Sequence, residues 1–165
     1  MSAKYRPTFL SLLFLLSALT LTGVAFGQET AKDFVNRGNA KATQGDLDGA
    51  IADFTKAVEL NPKYSEAYNN RGIAKKDKGD LDGAIVDFTK AIELDPKYAS
   101  TYYNRGLAKE NRGDLDGAIA DYSKAIELNP TFVQAYTSRG EAKKAKGDLA
   151  GADADFGQAD KLGGR

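Results

Sequence analysis

The stretch GDLDG at residues 45–49 places two carboxylates and two glycines within a single turn, which suggests ion chemistry. A calcium loop needs oxygen ligands at positions 1, 3 and 5, a glycine at position 6 and a glutamate at position 12. Placing Asp46 and Asp48 at positions 3 and 5 puts Gln44 at position 1 and a threonine at position 12. In two later copies of the stretch, position 1 is lysine or arginine. Because a cation there would repel the metal, the pattern argues against a calcium site.

Phosphate binding is not indicated by this turn either. Asp46 and Asp48 occupy the start of the following helix, where a phosphate would need free N–H groups. The lysine and serine or threonine that complete a P-loop do not follow. The tripeptide Arg112-Gly113-Asp114 resembles an adhesion motif, but it fills the same turn as Lys78-Gly79-Asp80 in the preceding copy. The turn is therefore interpreted as structural.

Catalysis also lacks its usual groups. The sequence contains no histidine and no cysteine, which removes the commonest general base and the thiolate nucleophile. Chemistry by serine and lysine or by paired carboxylates is left as the alternative, although no such group of residues stands out. We therefore predict a non-enzymatic protein without catalytic, metal or cofactor sites.

The first 27 residues have the three parts of a secretory signal peptide. Lys4 and Arg6 precede an uncharged run over residues 9–26, and Ala25 and Gly27 have the small side chains that signal peptidase requires. We expect cleavage after Gly27 and an exported protein that is periplasmic or secreted. An uncleaved anchor is the alternative, because the run approaches the length that crosses a bilayer core of about 30 Å. Membrane attachment is expected only in that case.

Charge and cysteine content narrow the classes of partner. The chain has 23 basic and 23 acidic side chains, and loss of the leader with Lys4 and Arg6 leaves a formal charge of about −2. This balance argues against a nucleic-acid footprint. Since there is no cysteine, no disulfide can stabilise an exported domain, and its stability must come from packing.

The acidic stretch recurs every 34 residues, beginning at Gly45, Gly79, Gly113 and Gly147. It divides residues 28–165 into four units: 31–64, 65–98, 99–132 and 133–165. Apolar residues at spacings of three and four predict two helices in each unit. In the second unit, Gly79 separates the two helices, Asp80 is predicted to cap the second helix, and Pro96 ends it.

The repeated residues resemble the tetratricopeptide repeat family. Repeat positions 4 and 24 are aromatic, position 8 is glycine, positions 20 and 27 are alanine, and position 32 is proline in three units. In the second unit these residues are Tyr68, Phe88, Gly72, Ala84, Ala91 and Pro96. The resemblance implies an all-α fold, an α-solenoid of four helix-turn-helix repeats in a right-handed superhelical array.

Two positions depart from the family pattern in every unit. Position 7, usually leucine, is arginine, and position 11, usually tyrosine, is lysine, as in Arg71 and Lys75. An aspartate precedes the aromatic residue of every second helix, as in Asp87. We predict an internal pair of arginine and aspartate in each unit, such as Arg71 with Asp87. The alternative is a basic stripe that binds an anionic partner, and the four matching aspartates favour the internal pairs.

The family resemblance implies that the first helix of each unit lines a concave binding groove. The candidate groove residues are Asn36, Asn39, Asn69, Asn70, Tyr103, Asn104, Leu107, Ser138 and Glu141. Asparagine recurs at position 6 of three units, and its side chain can pair with both the N–H and the C=O of an extended peptide. We therefore predict a protein or peptide partner. The family's carboxylate clamp is not expected, because Val35 and Ser100 stand where it requires basic side chains.

The fourth unit ends the array. Asp153 and Asp160 replace isoleucines of the third unit, while Phe156 and Ala159 stay apolar. A terminal repeat needs such a polar outer face. We expect four units in a monomeric protein.

Overall fold

The computed structural model describes residues 29–163, so the predicted signal peptide at residues 1–27 lies outside the described residues. The described chain is helical, with no strands between residues 29 and 163. The helices are α1 Ala31–Thr43, α2 Leu47–Leu60, α3 Ser65–Asp77, α4 Leu81–Leu94, α5 Ala99–Asn111, α6 Leu115–Leu128, α7 Val133–Ala145 and α8 Leu149–Gly163. Within this part of the chain, the helices are too short or too polar to span a bilayer.

The helices pack in consecutive pairs, α1 with α2, α3 with α4, α5 with α6 and α7 with α8. Each pair also packs against the next through its second helix. The first helices of neighbouring units touch as well, α1 with α3 and α3 with α5. The expected four-repeat α-solenoid is therefore confirmed.

The recurring acidic turn connects the two helices of each unit. Gly79 has a φ of +90°, a left-handed conformation that favours glycine. The Asp80 carboxylate then accepts a hydrogen bond of 3.0 Å from the Gly83 backbone N–H, which caps α4 as predicted. Asp46 caps α2 in the same way at 2.9 Å from the Gly49 N–H. These carboxylates complete helix ends, which explains their recurrence without a bound ion.

The core of each unit forms where the two helices approach closely. A Cβ atom on Gly72 would lie only 2.8 Å from the Phe88 ring, so glycine allows the ring of α4 to contact the backbone of α3. Phe88, Ala84 and Ala108 are fully buried in one such cluster. In each unit, a glycine on the first helix thus faces an aromatic ring on the second helix.

The outer face of α8 is polar. Asp153 and Asp160 are exposed, whereas Ile119 and Ile126 at the same positions of α6 are at least partly buried. Ala159, on the opposite face of α8, is buried. The last helix therefore buries one face only, as expected for a terminal repeat.

Candidate functional site

Two cavities open on the side where the first helices of neighbouring units meet. The central cavity, formed mainly by the second unit and bordered by Tyr64 of the first and Thr101 of the third, has a volume of about 380 Å³. It is lined by Tyr64, Ser65, Glu66, Asn69, Asn70, Ala91, Asp95, Tyr98 and Thr101. The amino-terminal cavity, between the first and second units, has a volume of about 130 Å³ and includes Asn39 and Asn70. Asn70 lines both cavities, and we call the surface along α1, α3 and α5 that carries them the groove.

Four asparagines along this groove form a chain of hydrogen bonds between side-chain amides. The Asn104 Nδ2 donates to the Asn69 Oδ1 at 3.2 Å, and the Asn69 Nδ2 donates to the Asn70 Oδ1 at 3.2 Å. The Asn70 Nδ2 donates in turn to the Asn39 Oδ1 at 3.1 Å. We call these four residues the amide relay. It spans three units and fixes the orientation of each amide, while every member keeps unused donor or acceptor capacity.

The structure brings together only part of the predicted groove set. Asn39, Asn69, Asn70 and Asn104 join in the amide relay. Asn36 is exposed on α1 and does not line either cavity. The three asparagines at repeat position 6 therefore have different surroundings, although the sequence makes them look equivalent.

The predicted residues of the third and fourth units lie at the next junction. The Tyr103 ring packs 4.9 Å from the Phe132 ring, and its hydroxyl lies 3.4 Å from the Ser138 Oγ. Leu107 packs against the cluster around the buried Tyr122. Glu141 is exposed on α7, away from both cavities. Tyr103, Leu107 and Ser138 thus support the junction of the third and fourth units.

Sequence reasoning missed seven of the nine residues that line the central cavity, among them Glu66, Asp95 and Tyr98. Glu66 stands at repeat position 2, on the first helix of its unit, the helix that the family resemblance assigns to the groove. Asp95 and Tyr98 belong to the turn after α4, which the prediction did not include in the groove. A signal was present, because repeat position 31 is asparagine in the first and third units and aspartate only at Asp95.

The predicted pairs of arginine and aspartate are confirmed, and each carries additional partners. The Arg71 Nε and Nη2 donate to the two carboxylate oxygens of Asp87 at 2.8 and 2.7 Å. Lys75 adds a contact of 2.8 Å to the same carboxylate. The Arg71 Nη1 reaches the preceding unit, where it donates to the Thr55 Oγ1 at 3.2 Å. The arrangement recurs with Arg105 and, for the arginine–aspartate pair, in all four units.

These contacts contradict the alternative of a free basic stripe. The Arg71 side chain is only 15% exposed and is held by Asp87 and Thr55. Its guanidinium also lies 5.5 Å from the centre of the Tyr68 ring, a cation–π geometry. The arginine therefore joins two helices and two units, and its charge is already neutralised.

Two carboxyls in these pairs have lowered pKa values. The hydrogen bond from Arg37, supported by Lys41, outweighs burial and lowers the pKa of Asp53 to about 2. Burial raises the pKa of Asp155, but the hydrogen bonds from Arg139 and Lys143 outweigh it and lower the pKa. Both carboxylates are therefore charged at neutral pH.

In the described part of the chain, no metal cluster accompanies the groove. Over residues 29–163, histidine, cysteine and carboxylate side chains do not gather in a group of three that could hold a metal ion. The groove instead presents amides, hydroxyls, aromatic rings and three carboxylates, those of Glu66, Asp77 and Asp95. Such groups can bind an extended chain through hydrogen bonds and ring contacts.

Known sequence families and solved structures agree with this architecture. The profile described as Tetratricopeptide repeat matches residues 99–132, and a second profile described as TPR repeat matches residues 38–79 and 74–111. None of the curated proteins matches the chain significantly.

Several solved structures superpose on the described helices. A crystal structure of MamA is 32% identical, covers 80% of this chain and 77% of its own, and has a TM-score of 0.78. The first TPR domain of Spaghetti (RPAP3), bound to the HSP90 peptide SRMEEVD, is 27% identical, covers 72% of this chain and 94% of its own, and has a TM-score of 0.71. MamA from Desulfovibrio magneticus RS-1 shares the fold at 24% identity and a TM-score of 0.76, covering 80% of this chain and 75% of its own. On its repeat sequence, its helix pairs and these matches, the chain belongs to the tetratricopeptide repeat family.

Proposed function

We propose that this protein is an interaction module that binds an extended peptide or protein segment along the groove of α1, α3 and α5. The observation that carries the proposal is the amide relay, because it presents oriented donors and acceptors over the two cavities. An extended segment needs such partners for its own N–H and C=O groups. The solved complex of the RPAP3 repeats with a peptide supports the same class of function. We propose no catalytic role.

Peptide selection on the purified protein tests this proposal. Extended peptides selected from a random library should bind the groove and lose roughly tenfold in affinity when Asn70 is replaced by alanine, because its oriented amide is lost. Asn111→Ala, which changes an exposed asparagine outside both cavities, serves as the matched control. Fluorescence anisotropy measures the affinities, and circular dichroism checks that the variants fold. Equal binding by the wild type and Asn70→Ala would contradict the proposal.

The variant Asn36→Ala separates the amide relay from a simpler mode, in which each asparagine at repeat position 6 contacts the peptide independently. If the asparagines at repeat position 6 act equivalently, Asn36→Ala and Asn70→Ala should weaken binding equally. If the relay governs binding, Asn36→Ala should have little effect, because Asn36 is exposed outside both cavities. The ratio of the two affinities decides between these modes.

We also propose that the module acts outside the cytoplasm, as a monomeric scaffold or adaptor of the cell envelope. The support is the signal-peptide pattern of residues 1–27. Mass spectrometry of the exported protein should find an N-terminus at Gln28. An intact Met1 in the membrane fraction would instead support the tethered alternative.

A further inference from the structure

The charged side chains that line the central cavity are all acidic. Its only charged side chains are Glu66 and Asp95, and among the described residues that line it there is no lysine or arginine. The remaining lining consists of Tyr64, Tyr98, amides, hydroxyls and one alanine. Charge complementarity therefore favours a cationic group and disfavours an acidic one.

The fold does not require the charge of Asp95. The Asp95 Oδ1 accepts the Lys97 backbone N–H at 3.2 Å in the turn after α4. Asn61 and Asn129, at the same repeat position, accept the corresponding N–H groups at 3.1 and 3.2 Å. An amide thus forms the turn equally well, so the turn does not require the negative charge of Asp95.

The negative charge of Asp95 destabilises α4, because of where this residue lies in the fold. Asp95 is the C-cap of α4, and no basic residue lies in the last turn of this helix. A carboxylate at a helix C-terminus is repelled by the partial negative charge of the terminal carbonyls. The next helix, α5, begins at Ala99, and its N-terminus offsets part of this repulsion. A cation in the central cavity would be attracted by both the carboxylate and the carbonyl end of α4.

Tyr98 adds an aromatic surface to the same cavity. Its counterparts Tyr64 and Phe132 pack against core clusters of the protein, whereas Tyr98 is 55% exposed. Exposed aromatic rings attract ammonium and guanidinium groups through their faces. Tyr98 and Asp95 come from the same turn, so one side chain of a ligand can meet both.

We propose that the central cavity accepts a lysine or arginine side chain of the bound segment, with Glu66 and Asp95 as its counter-charges and Tyr98 as its aromatic contact. This inference rests on the proposed function, because the amide relay beside the cavity binds the backbone of the same segment. The partner is accordingly an extended peptide with a basic residue, opposite in charge to an acidic tail.

The test compares peptides that differ only in charge. Fluorescein-labelled peptides of about ten residues, long enough to cover both cavities, alternate serine with lysine, arginine, glutamine or glutamate. Anisotropy titrations with the purified full chain should give the tightest binding for the lysine and arginine peptides. Tighter binding of the glutamate peptide, or equal binding of the glutamine and lysine peptides, would overturn the proposal.

Variants that each remove one negative charge distinguish binding in the central cavity from general electrostatic attraction to the protein. Glu66→Gln and Asp95→Asn should each weaken the lysine peptide at least about fivefold, the loss expected for one charged contact, and leave the glutamine peptide unchanged. Glu93→Gln removes the same charge from α4 outside the cavity and should change neither peptide. Asp95→Asn should also keep or raise the melting temperature, which a purely structural role of Asp95 would not allow. Equal losses from Asp95→Asn and Glu93→Gln would overturn the proposal.

A failure of this inference can be told apart from a failure of the proposed function. If Asn70→Ala weakens all the peptides while the carboxylate variants do not discriminate among them, the groove binds peptides without selecting a cation. If none of the peptides binds, or if Asn70→Ala has no effect on any of them, both proposals are wrong.

Discussion

Three aspartates of the second unit have different roles, according to where each carboxylate lies. Asp80 caps a helix through a backbone N–H. Asp87 is buried between two helices, where it accepts hydrogen bonds from Arg71 and lies 2.8 Å from Lys75. Asp95 lines the central cavity. Of these three carboxylates, that of Asp95 is the one that lines a cavity, and its contact within the described residues is one backbone N–H, from Lys97.

The buried ion pair predicts an unequal double-mutant cycle. Arg71→Leu should lower the free energy of unfolding by about 3 kcal/mol, because it leaves Asp87 with Lys75 as its remaining cation. Asp87→Leu should cost more, because it leaves two cations without their shared carboxylate. The double variant Arg71→Leu with Asp87→Leu should lose less than the sum of the two single losses. Urea denaturation followed by circular dichroism measures all three, and additive losses would count against the pair.

The lowered pKa of Asp53 predicts a loss of stability in acid. Its folded-state pKa is about 2, below the usual value of 3.8. The unfolded chain therefore binds the proton more readily, so this contribution is complete above about pH 4 and is lost as pH falls through about 2. Asp53→Asn should flatten the dependence of unfolding free energy on pH over this range. A curve as steep as that of the wild type would mean that other carboxylates account for the acid sensitivity.

At the level of single helices, the close approach of α3 and α4 depends on glycine. Ordinary helix propensity would favour alanine over glycine by about 1 kcal/mol. At Gly72 the neighbouring ring overrides that preference, because an added Cβ would lie 2.8 Å from Phe88. This packing requirement is visible in the sequence as a glycine at repeat position 8 of every unit.

Two glycine substitutions should consequently change stability in opposite directions. Gly72→Ala should lower the free energy of unfolding by about 1–3 kcal/mol through overpacking against Phe88. Gly157→Ala, on the exposed face of α8, meets no neighbouring atom within 4 Å. It should raise stability by up to about 1 kcal/mol through helix propensity. Thermal unfolding of the two variants provides the comparison, and destabilisation by both would refute the packing explanation.

At the level of the whole molecule, neighbouring units are joined by polar contacts, and the last unit lacks the groups that would make these contacts with a following unit. Arg112 contacts Asp82 of the preceding unit at 2.8 Å, and Lys146 contacts Asp116 in the same way. The position that supplies this aspartate is Ala150 in the fourth unit. The hydroxyl that receives the arginine of the next unit, Ser123 in the third unit, is replaced by Gly157. Together with the exposed Asp153 and Asp160, these changes remove the groups that would attach a fifth unit.

Restoring those groups should create end-to-end association. A variant with Ala150→Asp, Asp153→Ile, Gly157→Ser and Asp160→Ile presents the third unit's contacts at the end of the array. It should dock on α1 of another copy, where the Arg37 side chain is 43% exposed. Because this contact joins unlike faces, it should extend into chains of molecules. Sedimentation velocity should show concentration-dependent oligomers for this variant and monomers for the wild type.

A control separates restored docking from a simple loss of charge. Asp153→Asn with Asp160→Asn removes the same two carboxylates without adding apolar surface or unit-specific contacts. This control should stay monomeric in the same experiment. Association of the control would show that the two aspartates act only through repulsion.

The sequence by itself determined the helices, their pairing and the internal ion pairs. Gly79, Asp80 and Pro96 mark helix ends by their own backbone chemistry, and the structure places α4 between them. The pairing of Arg71 with Asp87 also followed from the sequence, because the two residues recur together in every unit and lie on paired helices. Such features depend on neighbours within one 34-residue repeat.

The contacts of the groove residues could be established only from the tertiary structure. Asn104 meets Asn69, and Asn70 meets Asn39, across unit boundaries, so their contacts depend on how one unit is placed on the next. Within the second unit, the packing of α3 on α4 brings Asp95, from the turn after α4, beside the amides of α3, and Thr101 of the third unit completes the lining. A repeat pattern gives the spacing of residues along the chain but not the offset and rotation between packed units. That packing separates asparagines with the same repeat position into different surroundings.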